Sequence, residues 1–364
     1  MRTLITPSKY VQGSNALKIL ADYLEPYGHE ILLIALPEDA ERVEYALELV
    51  EGKGIHLHKV AFTGECSLSE IERIVEQHKG EKYGALIGLG GGKAIDTAKS
   101  VSLRLDVPLF VIPTIAATDA PCSGMSILYD DDDDHVMIGK ELLKKNPEVV
   151  LVDTTVIANA PAHFLISGFG DALATYYEAR AVRRSNSDNY AKGKFTASAW
   201  ALATLCRDIL FADSAKALEA CRKHVVTEAL ENVIEANLYM SCIGFESVGC
   251  AAAHALYNNM TIWPETERHS HGEKVAIGLL VQLILENEPD EEMRKILKYY
   301  KTVGLPTNLA AIGLEAPTEE HFRRVAKKVL STKNAIHNLP IELTEDKIVD
   351  AFKLVDSLEE MYCD

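Results

Sequence analysis

Short apolar runs and longer amphipathic stretches alternate along the first half of the chain. The apolar runs have the length of buried strands, and Pro37 and Pro113 directly follow two of them. Ser67 and Glu70 form a capping box for an amphipathic helix that runs to about Lys79. Strands are predicted at 30–36, 83–89 and 107–112, with a further helix at 93–103. This alternation predicts a parallel sheet with helices on both faces.

The pattern changes near Ala160, where the strand signal fades. Pro161 interrupts the alternation, and the stretches beyond it have the 3.6-residue periodicity of helices. Helices are predicted at 172–183, 197–211 and 227–245. The sequence therefore predicts an α/β domain over residues 1–160, followed by an all-helical domain over residues 161–364.

Composition and charge narrow the class of protein. A length of 364 residues suits two domains, each with its own core. The formal net charge of −17 argues against binding to nucleic acid or to an anionic membrane. No apolar run approaches the length of about eighteen residues that a membrane-spanning helix needs, and the first twenty residues lack the apolar core of a signal peptide. Seven cysteines without a CxxC pair are typical of free thiols in a reducing compartment, so the cytoplasm is expected.

A glycine-rich turn follows the second predicted strand at residues 88–93, which read GLGGGK. Glycine allows the backbone to approach a phosphate closely, and the helix that follows directs its first amides at the same anion. The turn is not a Walker loop, because Ala94 replaces the hydroxyl residue that holds magnesium. It is not a strict GxGxxG either, because Lys93 occupies the last glycine position. The order of strand, glycines and helix favours a nucleotide site over a tight turn without a ligand.

Three residues of the helical half suggest a metal centre. Asp171, His254 and His271 each lie in a stretch rich in small residues. A lone histidine among alanines, such as His254, is more often a residue of the core, and a buried aspartate is costly unless it is paired or binds a metal. Together the three residues form a set of one carboxylate and two imidazoles, which leaves a coordination position open and is typical of a catalytic site. The absence of thiolate from this set favours zinc or iron(II).

Five consecutive acidic residues at 130–134 are a weaker candidate. They could hold a cation, but like charges repel one another and stay hydrated. We therefore predict a solvated turn between two strands here.

At this point the residues resemble a known family, the iron-containing or group III alcohol dehydrogenases, which are metal-dependent polyol dehydrogenases. The resemblance extends over nearly the whole chain, and its motifs occur in the same order. They lie at 7–13, 90–93, 96–99, 113–114, 118–121, 170–175, 244–247 and 271–276.

The resemblance implies a fold, cofactors and a reaction. The fold is dehydroquinate synthase-like, with a Rossmann-like nucleotide site and NAD in the cleft between an NAD-binding half and a helical half that binds metal and substrate. The reaction is metal-dependent, NAD-linked oxidation of the secondary hydroxyl of glycerol, or of a related vicinal diol, to dihydroxyacetone. Zinc, or alternatively iron(II), would be held by Asp171, His254 and His271. Homo-oligomers, commonly octamers, are expected.

The resemblance also assigns residues to the cofactor and the substrate. Asp119 and Phe245 match positions that contact glycerol, next to the ligand His254, and Asp119 joins the metal ligands as a catalytic residue. The residues that match cofactor positions are Gly90, Gly91, Gly92, Lys93, Thr114, Ser123, Met125 and Tyr129.

The chain departs from the family pattern at a few positions. Leu36 stands where an acidic residue commonly follows the second strand and binds the adenosine ribose, with Glu38 and Asp39 just beyond it. Tyr257 and Asn259 stand near the metal where the family has His and Gly. These positions concern the choice between NAD and NADP and the shape of the alcohol pocket.

The same scaffold allows other functions. One is another alcohol or hydroxy-acid dehydrogenase, and another is a sugar-phosphate lyase or dehydrogenase. A phosphorylated substrate needs several basic residues beside the metal, yet between Cys250 and Gly272 the only basic side chain apart from histidine is Arg268. A non-catalytic metal- or nucleotide-binding protein is a third alternative, against which the intact ligand set argues.

Overall fold

A six-stranded parallel sheet is the centre of the first half of the fold. The computed structural model describes residues 1–131, 137–331 and 333–362. The strands of the sheet are ordered β1-β8-β5-β4-β2-β3, and β6 pairs with β7 in a separate antiparallel hairpin. The strands are β1 Lys9–Gly13, β2 Glu30–Ala35, β3 His56–Ala61, β4 Ala85–Gly90, β5 Leu109–Pro113, β6 Met125–Tyr129, β7 Met137–Leu142 and β8 Val149–Asp153.

Helices connect the strands and form the rest of the chain. Those of the first half are α1 Leu20–Leu24, α2 Pro37–Arg42, α3 Glu44–Gly52, α4 Leu68–His78, α5 Gly92–Leu105 and α6 Thr154–Ala158. Those of the second half are α7 Ala162–Ser185, α8 Ala197–Arg222, α9 Glu228–Glu235, α10 Ser241–Ser247, α11 Ala252–Met260, α12 His271–Leu285, α13 Asp290–Val303, α14 Glu319–Ser331, α15 Glu345–Val355 and α16 Leu358–Tyr362. The predicted fold class, an α/β half followed by a helical half, is confirmed.

The three strands predicted from the sequence are buried strands of the sheet. All residues of β4 and β5 are buried, as expected for central strands of a parallel sheet covered on both faces. The predicted ends of the three strands lie within two residues of those observed. The edge strand β3, with the sequence HLHKVA, is largely exposed. It was not predicted because it lacks a continuous apolar run.

Two local predictions differ from the structure. Ser67 accepts the amide of Glu70, but the Glu70 carboxylate accepts the Thr63 amide and pairs with Arg73, so only half of the capping box forms. The helix predicted at 227–245 is divided into α9, a π-helical turn at Ala236–Met240 and α10. A π turn inserts a residue into the helical repeat and is frequent at functional sites.

The chain divides into two compact units. One contains Ile5–Ala162 and Glu219–Tyr239, and the other contains Met1–Leu4, His163–Leu218 and Met240–Asp364. Glu219–Tyr239 thus groups with the sheet, although the boundary predicted after residue 160 assigns it to the helical half. Within the sheet unit, the Gln12 side chain donates to the Glu231 carbonyl oxygen at 2.9 Å.

The order of the sheet strands identifies where a ligand would bind. The chain proceeds from β2 to β3 on one side, then crosses to β4 and continues outward through β5. The direction therefore reverses between β2 and β4, and open α/β sheets bind ligands outside the carboxyl ends of the strands at such a point. The glycine turn at the end of β4 lies there.

Part of the acidic run at 130–134 lies outside the described residues, namely Asp132, Asp133 and Asp134. Asp131, between β6 and β7, accepts a hydrogen bond from the Ser69 hydroxyl. Within the described part of the chain, no helix is both long and apolar enough to cross a membrane.

Candidate active site

Three helices of the helical unit bring the predicted metal ligands together. Asp171 lies on α7, His254 on α11, and His271 is the first residue of α12. The Nε2 atoms of His254 and His271 each lie 3.0 Å from Oδ1 of Asp171. Asp171 is buried, and both imidazoles are partly exposed. The three donor atoms converge within 4.8 Å of one another, as a metal site requires.

Small residues allow these helices to approach closely. A Cβ atom on Gly272 would lie 1.7 Å from the Ser167 carbonyl oxygen, and one on Gly170 would lie 2.3 Å from the carbonyl oxygen of Gly272. The backbones of α7 and α12 therefore touch beside two of the ligands. This contact explains why the ligands occur in stretches rich in small residues, a feature that the sequence showed without its cause.

The electrostatics of the cluster favour a bound cation. Burial raises the pKa of Asp171, but the charge of His271 and hydrogen bonds from both imidazoles outweigh it and hold the pKa well below its ordinary value. Burial lowers the pKa of His254, but the charge of Glu178 outweighs it and raises the pKa well above its ordinary value. The site thus stabilises positive charge beside a carboxylate that stays ionised. With one oxygen and two nitrogen donors, the residues fit a divalent metal such as zinc.

Glu178 is a residue of this cluster that the sequence reasoning missed. Its Oε2 accepts a hydrogen bond from Nδ1 of His254 at 2.5 Å, and it is fully buried. Glu178, Cys250 and His254 form a second group of residues whose potential ligand atoms lie close together. The signal available in the sequence was the helical spacing from Asp171, which places Glu178 on the same face of α7.

Aromatic residues border the metal ligands. Phe245, predicted to contact the substrate, stacks on His254 with a ring-centroid distance of 6.3 Å and packs against Tyr190. Tyr257 lies edge-on to His271 at 4.3 Å, and the ammonium group of Lys274 is 5.6 Å from the Tyr257 ring centroid. Lys274, which lies just beyond the stretch from Cys250 to Gly272, therefore places a cation near the predicted ligands. A phosphate site needs several basic side chains.

The glycine turn lies in the sheet unit at the start of α5. Gly90 has a φ of +139°, which side chains rarely tolerate, and Gly91 is the N-terminal cap of the helix. Among the described residues, no side chain forms a cap hydrogen bond at this end. The first amides of a 14-residue helix are therefore available to an anion such as a pyrophosphate.

Asp39 occupies the space above this turn. Its Oδ2 lies 2.9 Å from the position that a Cβ atom on Gly90 would take, and its Oδ1 accepts the Thr114 hydroxyl at 2.8 Å. Arg42, one helical turn further along α2, donates to Asp39 at 3.2 Å. Leu36 directly follows β2, and Asp39, three residues later on α2, is the carboxylate that lies beside the glycine turn.

The other predicted cofactor residues surround α5. The ammonium group of Lys93 lies 5.5 Å from the Tyr129 ring centroid and pairs with Glu65 at 2.5 Å. Lys99, fully buried on α5, donates to the Ser123 hydroxyl at 2.9 Å and to the Met125 carbonyl oxygen at 2.6 Å.

Asp119 belongs to this neighbourhood. It is buried and precedes a short 3-10 helix at Ala120–Cys122, whose first carbonyl oxygen also accepts a hydrogen bond from Lys99.

The predicted site residues fall into two groups, one in each compact unit. The sheet unit contains Gly90, Gly91, Gly92, Lys93, Thr114, Asp119, Ser123, Met125 and Tyr129, and the helical unit contains Asp171, Phe245, His254 and His271.

A phosphate-binding glycine turn and an open carboxylate–imidazole centre on one chain are typical of a metal-dependent, nucleotide-using enzyme. The sequence profile of iron-containing alcohol dehydrogenases matches residues 7–154. Glycerol dehydrogenase of Pseudomonas putida is 42% identical over 98% of this chain and 98% of its own length. That of Escherichia coli O6:H1 is also 42% identical, over 98% of this chain and 96% of its own.

A solved structure agrees with these relatives. Glycerol dehydrogenase from Schizosaccharomyces pombe superposes with a TM-score of 0.94 at 34% identity, covering 100% of this chain and 92% of its own. The chain belongs to the iron-containing alcohol dehydrogenase family, and it is an oxidoreductase. The resemblance predicted from the sequence is confirmed.

Proposed function

We propose that this enzyme oxidises the secondary hydroxyl of glycerol, or of a closely related vicinal diol, and transfers the hydride to NAD. The observation that carries the proposal is the convergence of Asp171, His254 and His271 on one point. Full-length relatives described as glycerol dehydrogenases support the choice of substrate.

Asp171, His254 and His271 would hold the metal, with zinc as the proposed ion and iron(II) as the alternative. When bound, the metal supplies Lewis acidity that lowers the pKa of an alcohol, and the nicotinamide accepts a hydride. The chain's own residues prepare the site for this chemistry. Asp171 stays ionised, the two imidazoles direct Nε2 at its oxygen, and the Phe245 ring shields one side of His254 from water.

NAD would lie on the glycine turn at the β2–β4 reversal. Its pyrophosphate would meet the amides of Gly91, Gly92 and Lys93, and Thr114, Ser123, Met125 and Tyr129 would complete the cofactor site. The position of the Asp39 carboxylate beside Gly90 supports a role in binding the adenosine ribose hydroxyls. The same carboxylate would repel the additional phosphate of NADP.

Asp119 would accept the hydroxyl of the diol that is not oxidised. We therefore expect Asp119→Ala to raise the KM for glycerol at least about tenfold, since a hydrogen bond to a charged group contributes about 1.5–3 kcal/mol. The KM for NAD should stay close to that of the wild type. Steady-state kinetics with each substrate varied in turn measure both constants. An unchanged KM for glycerol would remove Asp119 from the substrate site.

A cytoplasmic homo-oligomer, with the octamer as the first candidate, completes the proposal. The six cysteines of the described residues are all buried and form no disulfide with one another, as suits a reducing compartment. Light scattering on the purified enzyme measures the mass of the assembly, and a monomer would contradict this part of the proposal.

The test of the reaction is a panel of alcohols. Purified, zinc-loaded enzyme is given NAD or NADP with glycerol, propylene glycol, ethanol, a hydroxy acid or glycerol 1-phosphate, and NADH or NADPH formation is followed by absorbance. The proposal predicts the highest kcat/KM with glycerol and NAD. A higher kcat/KM with ethanol, the hydroxy acid or the phosphorylated substrate would contradict it.

A further inference from the structure

The helix that carries His254 begins without a cap of its own. The residue at its N-terminal cap is Ala251, whose side chain cannot accept a hydrogen bond. A helix start leaves free backbone amides, and burying them without partners is costly. Here the start of α11 is buried, so acceptors from elsewhere in the fold must satisfy these amides.

Two side chains from neighbouring helices provide them. Oε1 of Glu178 on α7 accepts the amides of Ala251 at 2.9 Å and His254 at 3.0 Å. Oε1 of Gln282 on α12 accepts the amides of the two residues between them, both at 3.0 Å. Four consecutive amides are thus capped, and both capping side chains are fully buried.

These two helices also carry the other metal ligands. Glu178 lies about two turns after Asp171 on α7, and Gln282 lies about three turns after His271 on α12. Each pair therefore shares one face of its helix. The faces that present Asp171 and His271 to the metal are the same faces that hold the start of α11 in place.

Glu178 acts on the imidazole as well as on the backbone. Its second oxygen accepts Nδ1 of His254 at 2.5 Å. Because a carboxylate only accepts hydrogen bonds, this contact holds a proton on Nδ1 and makes Nε2, which faces Asp171, the nitrogen that would give up its proton to bind a metal. Gln282 caps the same helix through two other backbone amides, and its NH2 group donates to the Tyr177 carbonyl oxygen and to Glu286 instead of the His254 ring.

We infer that Glu178 is a positioning residue that fixes the tautomer and orientation of His254 for metal binding, a role beyond capping α11. This inference rests on the metal site of the proposed function. Partners of this kind commonly change metal affinity about 10–100-fold when they are removed.

The discriminating variant is Glu178→Gln. Glutamine keeps an oxygen for the two backbone amides but presents an NH2 group to Nδ1 of His254, which favours a proton on Nε2 and opposes ligation. We expect zinc affinity, measured by competition with a chelator, to fall about 10–100-fold. The visible spectrum of the cobalt-substituted protein should also change, while the circular dichroism of the metal-free protein stays that of the wild type.

Gln282→Met is the matched control. It removes two cap hydrogen bonds from α11 and leaves the partner of Nδ1 in place. We expect a lower melting temperature with zinc affinity and cobalt spectrum close to those of the wild type. A loss of zinc affinity in this variant equal to that in Glu178→Gln would overturn the inference, because both residues would then act through the helix start alone. Wild-type zinc affinity in Glu178→Gln would overturn it as well.

Two further proteins complete the experiment. If Glu178→Gln does not fold, Glu178→Asp takes its place, since it keeps the charge but withdraws the carboxylate from Nδ1. Weaker zinc binding in a folded Glu178→Asp supports the inference, and unchanged binding overturns it. Asp171→Asn separates the two proposals: if the wild type binds zinc no better than Asp171→Asn, the metal site itself is wrong, whatever Glu178 does.

Discussion

At the scale of single residues, the structure places a carboxylate close to the position that Leu36 leaves without one. The position after β2 lacks the acidic residue that commonly binds the adenosine ribose, and the sequence alone left the choice between NAD and NADP open. In the fold, Asp39 on α2 reaches the glycine turn from three residues further along the chain and is held by Thr114. A carboxylate is thus present at the β2–β4 reversal, although position 36, where the family commonly has an acidic residue, is a leucine.

Asp39→Ala tests this replacement. We expect kcat/KM for NAD to fall at least about tenfold, since hydrogen bonds to a charged group contribute about 1.5–3 kcal/mol. We also expect activity with NADP to rise, because the charge that repels its additional phosphate is removed. Glu38→Ala, an exposed neighbour on the same helix, is the matched control and should behave like the wild type. If the ratio of kcat/KM for NAD to kcat/KM for NADP is unchanged in Asp39→Ala, Asp39 does not bind the adenosine ribose.

At this scale, the sequence predicts a functional residue only where its type is unusual among its neighbours in the chain. Asp171, His254 and His271 were identified because a carboxylate or an imidazole among small residues is unusual. Glu178 and Lys99 were missed because a single charged residue in a helix is ordinary, and their burial appears only when the helices pack. Apart from Asp96, the partners of Lys99 lie more than twenty residues away along the chain, which no local pattern reveals.

At the scale of elements, α7 and α12 are joined by direct backbone contact. We predict that Gly272→Ala forces them apart, because its Cβ atom would overlap the Ser167 carbonyl oxygen. The expected loss is about 1–3 kcal/mol or more of unfolding free energy, together with weaker zinc binding because His271 is the adjacent residue. Chemical denaturation and chelator competition measure the two effects.

Gly52→Ala, at the end of α3, is the control for this substitution. A Cβ atom there meets no other atom within 4 Å, so stability and zinc binding should both be retained. Wild-type zinc affinity in Gly272→Ala would mean that the close approach of α7 and α12 is not needed to form the site.

The buried side chain of Lys99 connects helix α5 to the loop that leads into β6. Lys99 of α5 binds Asp96, the Ala120 carbonyl oxygen and the loop that leads into β6. We predict that Lys99→Met destabilises the protein by about 3–5 kcal/mol, because Asp96 is left buried without its countercharge. We also predict a higher KM for NAD, because Ser123 and Met125 lose their tether.

The double variant Asp96→Asn/Lys99→Met separates these two effects. Removing both charges should recover much of the stability but not the KM for NAD, since the loop remains untethered. Thermal denaturation and cofactor titration provide the two measurements. Recovery of both quantities together would assign Lys99 a purely structural role.

The helices and strands themselves were predicted to differing extents for physical reasons. Buried strands such as β4 are continuous apolar runs and were identified closely. The hairpin of β6 and β7 was not delimited, because β7 alternates exposed and partly buried residues over only six positions. The π turn at Ala236–Met240 leaves the apolar periodicity of the sequence nearly continuous, so one helix was predicted where the backbone forms three segments.

At the scale of the whole molecule, the metal site depends on the folded chain. Asp171 and His271 lie 100 residues apart in sequence, and each ligand comes from a different helix. A metal that binds only the folded state stabilises it, by about 2.7 kcal/mol when the free ion is at a hundred times its dissociation constant. If Asp171, His254 and His271 hold the metal as proposed, stability, metal content and activity should change together.

We propose that Asp171, His254 and His271 form a metal centre on which glycerol oxidation depends. The most direct test measures glycerol-dependent NADH formation by the wild type as purified, after chelation and after zinc is restored, alongside Asp171→Asn treated identically. We predict that chelation abolishes turnover and lowers the melting temperature, that zinc restores both, and that Asp171→Asn folds but stays inactive throughout. Undiminished turnover in wild-type protein shown to be free of metal, or in Asp171→Asn, would contradict it.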